Sequence, residues 1–253
     1  MKYFVALLAM AMPIIAWLSN TGVFGPTNGA ISDQYPSLIV AAGYAFAIWG
    51  PIFLLDVVYG FAQSFDRVGD HRTRSIRPYT AVAFALTSLW MIVFSLQIFW
   101  LALLIIWGSL VCLLLATRHV SDTRRHARGA WWLWVPLSLH TGWVSLAAFL
   151  NVAQVVVAHR LLSTTQMLPW TLVLFVLVAT LLLTVLWRLH GNPWYALAAV
   201  WGLVGVYVKQ HHSGLDGAST AAWIALGLAL VIAATSLWSW FAARRPTQRY
   251  AAT

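Results

Sequence analysis

The chain is 253 residues long, 61% hydrophobic and only 8% charged, with a formal net charge of +9. That composition excludes a separate soluble domain, because the longest polar stretches, 64–78 and 118–129, are too short to bury a core. It also excludes a nucleic-acid surface, since the basic residues sit in short loops beside apolar runs and form no aromatic-interleaved basic tract.

A membrane helix needs about 20 mostly apolar residues, and eight segments meet that need. The first, 3–20, follows a single Lys. It reads as a retained span, because its apolar stretch is long and no clear small-x-small cleavage site precedes the loop 22–29. The second, 37–63, holds Asp56, the only acid inside any predicted span. The third and fourth, 79–97 and 99–117, come from one uncharged run over 78–117, 40 residues or twice one crossing, divided near Gln97. The fifth is Trp131–Ala158 and the sixth 168–189. The seventh, 193–208, is the shortest, and the eighth is 220–243.

The charges agree with that count. With the N-terminus inside, thirteen of the fifteen Lys and Arg residues fall on the inner side: Lys2, Arg67, Arg72, Arg74, Arg77, Arg118, Arg124, Arg125, Arg128, Arg188, Arg244, Arg245 and Arg249. Only Arg160 and Lys209 fall outside. Inner loops carry the basic excess, so both termini are expected in the cytoplasm. Merging the third and fourth spans would move Arg118 to Arg128 to the wrong side. The predicted fold class is all-α, a polytopic membrane bundle of eight helices.

Polar residues within spans mark surfaces that face protein or water. His140, Trp143, Ala147, Asn151 and Gln154 in the fifth span are spaced by three, four, four and three, which is one helical face. Trp49, Phe53, Asp56, Tyr59 and Gln63 make a matching face in the second span. Asp56 is expected to be paired, with Arg67 or another inner-loop base as the partner, or to serve with His140 as a proton relay. Asn151 and Gln154 alternatively serve as interhelical hydrogen-bonding glue.

Of the sixteen Trp residues, Trp131, Trp132, Trp134, Trp170, Trp194, Trp238 and Trp240 lie near span ends, where indoles favour the interface. Trp49, Trp90, Trp107, Trp143, Trp201 and Trp223 fall deeper. Lys209, His211, His212 and Asp216 cluster in the last outer loop but match no metal-ligand spacing, so the reading is a solvated loop. Leu203, Tyr207 and Lys209 fit the loose sterol-contact pattern. The single Cys112 can form no intrachain disulfide.

The run Gly43-Tyr44-Ala45-Phe46-Ala47-Ile48-Trp49-Gly50-Pro51-Ile52-Phe53 resembles the second-helix signature of the tryptophan-rich sensory protein family, also called the translocator protein or peripheral benzodiazepine receptor family. Leu89-Trp90 followed by Phe94 is similar to that family's third helix. Pro136, then Trp143-Val144-Ser145-Leu146-Ala147-Ala148-Phe149-Leu150-Asn151, resembles its fifth. The resemblance covers residues 1–158. It implies a five-helix bundle over 1–160, with 161–253 adding three helices and a short basic tail.

What the resemblance implies further is a pocket for flat hydrophobic ligands, porphyrins or sterols, capped by the first loop. Carried over by position, its residues are Phe46, Trp49, Trp90, Trp143, Ala147, Leu150 and Asn151, with His140 added from the fifth-helix stripe. The first loop departs from the family pattern: Tyr35-Pro36-Ser37-Leu38 and Ala41-Ala42 contain no Trp, so chemistry that needs a loop Trp is not carried over. Thr87 stands where the family's third helix has Asn.

Three functions compete. The first is a sensor, regulator or carrier that binds a tetrapyrrole or sterol-like lipid. The second is a small proton-coupled transporter using Asp56 and His140, disfavoured because no inverted repeat is visible. The third, an intramembrane hydrolase, lacks the second convergent acid or ligand it would need. No catalytic residue, metal site or cofactor is expected, apart from porphyrin or haem as the ligand. The expected partners are that small hydrophobic ligand and the lipid bilayer, without nucleic acid and with a homodimer as a further option. The expected location is the bacterial inner membrane.

Overall fold

The computed structural model describes residues 1–65, 71–123 and 131–242. Arg67, Arg124, Arg125, Arg128, Arg244, Arg245, Arg249 and the side chain of Arg72, all in the inner basic set, lie outside the described residues. The described residues form α1 (Lys2–Asn20), α2 (Asn28–Gln34), a 3-10 turn (Gly43–Ile48) running into α3 (Trp49–Phe65), α4 (His71–Ser95) and α5 (Phe99–Thr123). They continue with α6 (Trp131–Ala158), α7 (Leu168–Arg188), α8 (Pro193–His211) and α9 (Ala218–Ala242), and contain no strand.

Seven of these are long and apolar enough to cross a membrane: α1, Gly43–Phe65, α4, α5, α6, α7 and α9. The expected seventh span, α8, is less apolar because it opens on Pro193, Trp194 and Tyr195 and closes on Lys209, Gln210 and His211. It nevertheless runs the full height of the bundle. At its start Asn192 Nδ2 donates to Ser138 Oγ, near the beginning of α6, at 2.7 Å. At its end Gln210 and Lys209 reach the first loop on the opposite face. Eight helices therefore traverse the bundle in alternating directions. Among the described residues, Lys2, Arg74, Arg77, Arg118 and Arg188 lie towards one end and Arg160 and Lys209 towards the other.

The division near Gln97 is real. Gln97 has φ 59°, and the Ile98 N–H donates to Val93 C=O at 3.2 Å, a left-handed helix stop. Arg160 (φ 51°) and His190 (φ 54°) end α6 and α7 in the same way. A side-chain-bearing residue in this region costs about 1–2 kcal/mol. Replacing exposed His190 with Gly is therefore expected to raise stability by about 1 kcal/mol, read as a higher midpoint of thermal unfolding in detergent.

The predicted second span begins late. Residues 37–42 belong to the first loop, and regular helix starts only at Gly43. That loop also contains α2, opened by Thr27, whose Oγ1 accepts from the Ala30 N–H at 3.3 Å.

The centre is α6, buried on nearly its whole circumference from Leu133 to Val155. It packs against α3, α5, α7 and α8. The approach of α8 is close: a Cβ on Gly142 would lie 2.3 Å from the Tyr195 carbonyl oxygen, and one on Gly202 would lie 2.4 Å from Leu146 Cδ2. Small residues at helix crossings allow such contact where lipid gives no hydrophobic drive to association.

Farther along, α8 fastens the first loop. Gly205 C=O accepts from the Ala42 N–H at 3.0 Å. Trp201 Nε1 donates to Ala45 C=O at 2.9 Å, and Gln210 Nε2 donates to Ser37 C=O at 2.9 Å and Val40 C=O at 3.1 Å. Lys209 Nζ pairs with the Asp33 carboxylate. Tyr35 OH adds a bond to Gln97 Oε1 at 2.9 Å.

Candidate functional site

The 3-10 turn, α3, α4 and α6 bring the expected residues together. Phe46, Trp90, Trp143, Ala147, Leu150 and Asn151 line one small cavity, beside Gln154 and Phe94. Trp49 stands at the same place. Its ring centroid is 5.9 Å from Trp143 (84°, edge-to-face), 5.9 Å from Trp90 and 5.8 Å from His140. Phe46 meets Trp143 edge-on at 6.0 Å. Edge-to-face packing at these distances is favourable in itself, and it leaves a cavity of about 20 Å³, room for about one water. Trp49 and Trp143 thus fill each other's space and leave no open slot between them.

The polar side of the site is built on α6. Trp90 Nε1 donates to Asn151 Oδ1 at 2.9 Å, and Asn151 Nδ2 donates to Ala147 C=O at 2.9 Å. Asn151 is therefore held with its carbonyl towards the indole. About three turns back along α6 from Asn151, His140 Nδ1 lies 2.8 Å from Asp56 Oδ2, with both side chains fully buried. His140 Nε2 lies 3.3 Å from Thr87 Oγ1, which lies 2.9 Å from Ser109 Oγ, whose hydroxyl donates to Ala83 C=O at 3.2 Å. A continuous polar chain thus runs from α3 through α6 and α4 to α5. Phe84 stacks on the imidazole (6.0 Å, 9°).

Among the described residues the partner of Asp56 is His140; Arg77 is occupied by Gln63, donating to its Oε1 at 2.8 Å and its backbone C=O at 3.0 Å. Arg67 lies outside the described residues. Both ring nitrogens of His140 lie within hydrogen-bond distance of protein oxygens.

Four buried polar atoms at the site have no hydrogen-bond partner among the described residues: Trp49 Nε1, Trp143 Nε1, Gln154 Nε2 and Asp56 Oδ1. Buried polar atoms are seldom left so.

Sequence reading missed Thr87 and Ser109 as parts of the site. The signal was present for Thr87, the position at which the third helix departs from its family pattern. It also missed the fastening of the loop by Trp201 and Gln210. Trp201 and Trp223, which lie away from the ends of their spans, are exposed on the outside of the bundle. The outer-loop cluster does not converge: Lys209 pairs with Asp33, His211 stacks on Tyr207 at 5.4 Å, and no group of three His, Cys, Asp or Glu could hold a metal among the described residues. Leu203 of the sterol-contact pattern is fully buried, so the three residues do not share one lipid-facing surface.

A much larger cavity, about 640 Å³, lies on the other side of Phe46 and Trp49, between α1, the first loop and α3.

Neither a curated protein nor a solved structure matches the chain. The family model described as TSPO-like protein matches residues 2–238, and so runs past the fifth span, where the visible motifs stop, into the last three helices. The chain is therefore a polytopic helical membrane protein belonging to the TSPO-like protein family.

Proposed function

We propose that the protein binds a planar hydrophobic ligand, a tetrapyrrole or sterol-like lipid, between α3 and α6 in a sensory, regulatory or carrier role. The observation that carries this reading is the gathering of three buried indoles around buried polar atoms that have no partner among the described residues. Flat aromatic walls suit a flat apolar ligand. The unpartnered Trp49, Trp143 and Gln154 donors suit one that carries hydrogen-bond acceptors, such as carboxylate or hydroxyl oxygens. Entry requires the Trp49–Trp143 contact to open.

Titration with protoporphyrin, followed by Trp quenching, tests the proposal. Wild type is expected to saturate, and Trp143→Leu is expected to bind about 1–3 kcal/mol more weakly, the range for a desolvated aromatic contact. Trp223→Leu, at an exposed indole, is the control and should match wild type. Equal affinity in all three would remove α6 from the site.

A second reading, a small proton-coupled transporter, is favoured by one observation, the 2.8 Å contact of Asp56 with His140. In liposomes with an imposed proton gradient, that reading requires flux in wild type and its loss in Asp56→Asn.

The basic asymmetry further supports a cytoplasmic orientation of both termini in a bacterial inner membrane. A reporter fused after Thr253 is expected to be active inside, and one inserted within 213–217 outside.

A further inference from the structure

We propose that the large cavity beside α1 is an entry vestibule, through which a flat hydrophobic ligand passes laterally from the bilayer into the aromatic site, with Phe46 as the partition. This rests on the planar-ligand reading above. The end of the site beneath the first loop is closed. Five hydrogen bonds and ion pairs to α8 hold that loop at Asp33, Ser37, Val40 and Ala42 and the adjoining 3-10 turn at Ala45, and Tyr35 is tied to Gln97. The floor is closed by the buried Asp56–His140–Thr87–Ser109 chain and its ring neighbours.

The side towards α1 differs. Its cavity of about 640 Å³ falls within the size range of small-molecule sites, about 300–1,000 Å³, against about 20 Å³ in the aromatic site. Gly43, Ala47 and Gly50 line it and are exposed, so the backbone of the 3-10 turn and α3 presents a shallow wall that a flat molecule can lie against. Pro13 and Ala16 of α1 form the apolar part of the facing wall, and Asn28 lies at its loop end. That polarity matches a molecule with a hydrophobic body and a polar edge. Phe46 lines both cavities and is only half-buried. A rotation of that one ring joins them without releasing the loop from α8.

Gly50 gives a clean test, because a Cβ there meets nothing within 4 Å. Gly50→Phe narrows the vestibule without touching the aromatic site. The measurement is stopped-flow Trp quenching by protoporphyrin, with each protein in phosphatidylcholine vesicles, for wild type, Gly50→Phe and Gln210→Leu. The expected result is that Gly50→Phe lowers the association and dissociation rates together by about tenfold, as a narrowed path does, with Kd unchanged. Gln210→Leu, which removes the donor to the two loop carbonyls of Ser37 and Val40, is expected to leave both rates near wild type. Three results would overturn the inference: Gly50→Phe with unchanged rates, Gln210→Leu faster than wild type, or a Gly50→Phe effect confined to oligomer size in detergent, which would make the cavity a contact between copies of this chain. Wild type that binds no porphyrin would instead remove the planar-ligand reading, and this inference with it.

Discussion

Replacing His140 with Leu is expected to cost about 3–5 kcal/mol of stability, because it leaves Asp56 buried without a partner. The 2.8 Å contact joins two side chains with no solvent access, 84 residues apart in sequence, and the second Asp56 oxygen has no partner among the described residues to compensate. Replacing both residues with Leu is expected to be milder than His140→Leu alone, since a buried pair exchanged for apolar side chains of similar volume is often near neutral. The coupling energy from the four proteins, measured by denaturation in mixed micelles, separates two accounts. Polar pairs between membrane helices couple by about 0.6 kcal/mol on average. A coupling several times larger marks Asp56–His140 as a specific site, whereas additive effects would make it ordinary interhelical glue.

Gly142→Val is expected to cost about 3 kcal/mol, the upper part of the usual overpacking range. The added Cβ meets the Tyr195 carbonyl oxygen at 2.3 Å, the Tyr195 carbonyl carbon at 3.0 Å and Ala198 Cβ at 3.1 Å. Two of these are backbone atoms and cannot rotate aside, so α8 must move away from α6. Because α8 carries Trp201, Gly205, Lys209 and Gln210, the shift loosens their hold on the first loop. The expected signature is a lower unfolding midpoint together with faster proteolysis within 21–42. Gly227→Val on α9, where a Cβ meets nothing within 4 Å, is the control and should change neither. Proteolysis unchanged in Gly142→Val would show that the loop does not depend on α8.

The helices were legible because their cause is local. Hydropathy over about 20 residues and the placement of Lys and Arg are properties of short segments, and even the break at Gln97 follows from the length of one uncharged run. The α3 stripe was equally legible: Trp49, Phe53, Asp56, Tyr59 and Gln63 are all buried. The α6 stripe carried less information than its spacing suggested. That helix is buried almost all round, so period alone could not tell the pocket face from the faces packed on α5 and α8. What the sequence could not supply was register between distant helices. Nothing local pairs Asp56 with His140 rather than with an arginine, and nothing local sends Gln210 to Ser37. The short α2 was missed because its start rests on one capping Thr in a polar loop.

The central claim is that a flat ligand occupies the space now shared by Trp49 and Trp143. A structure of the protein with protoporphyrin bound tests it most directly. The expected result is the ring held between the two indoles, their centroids parted from 5.9 Å to about 7–8 Å, two van der Waals contacts of about 3.5–4 Å each. A ring lying wholly outside Phe46, with Trp49 and Trp143 still edge-to-face, would contradict it.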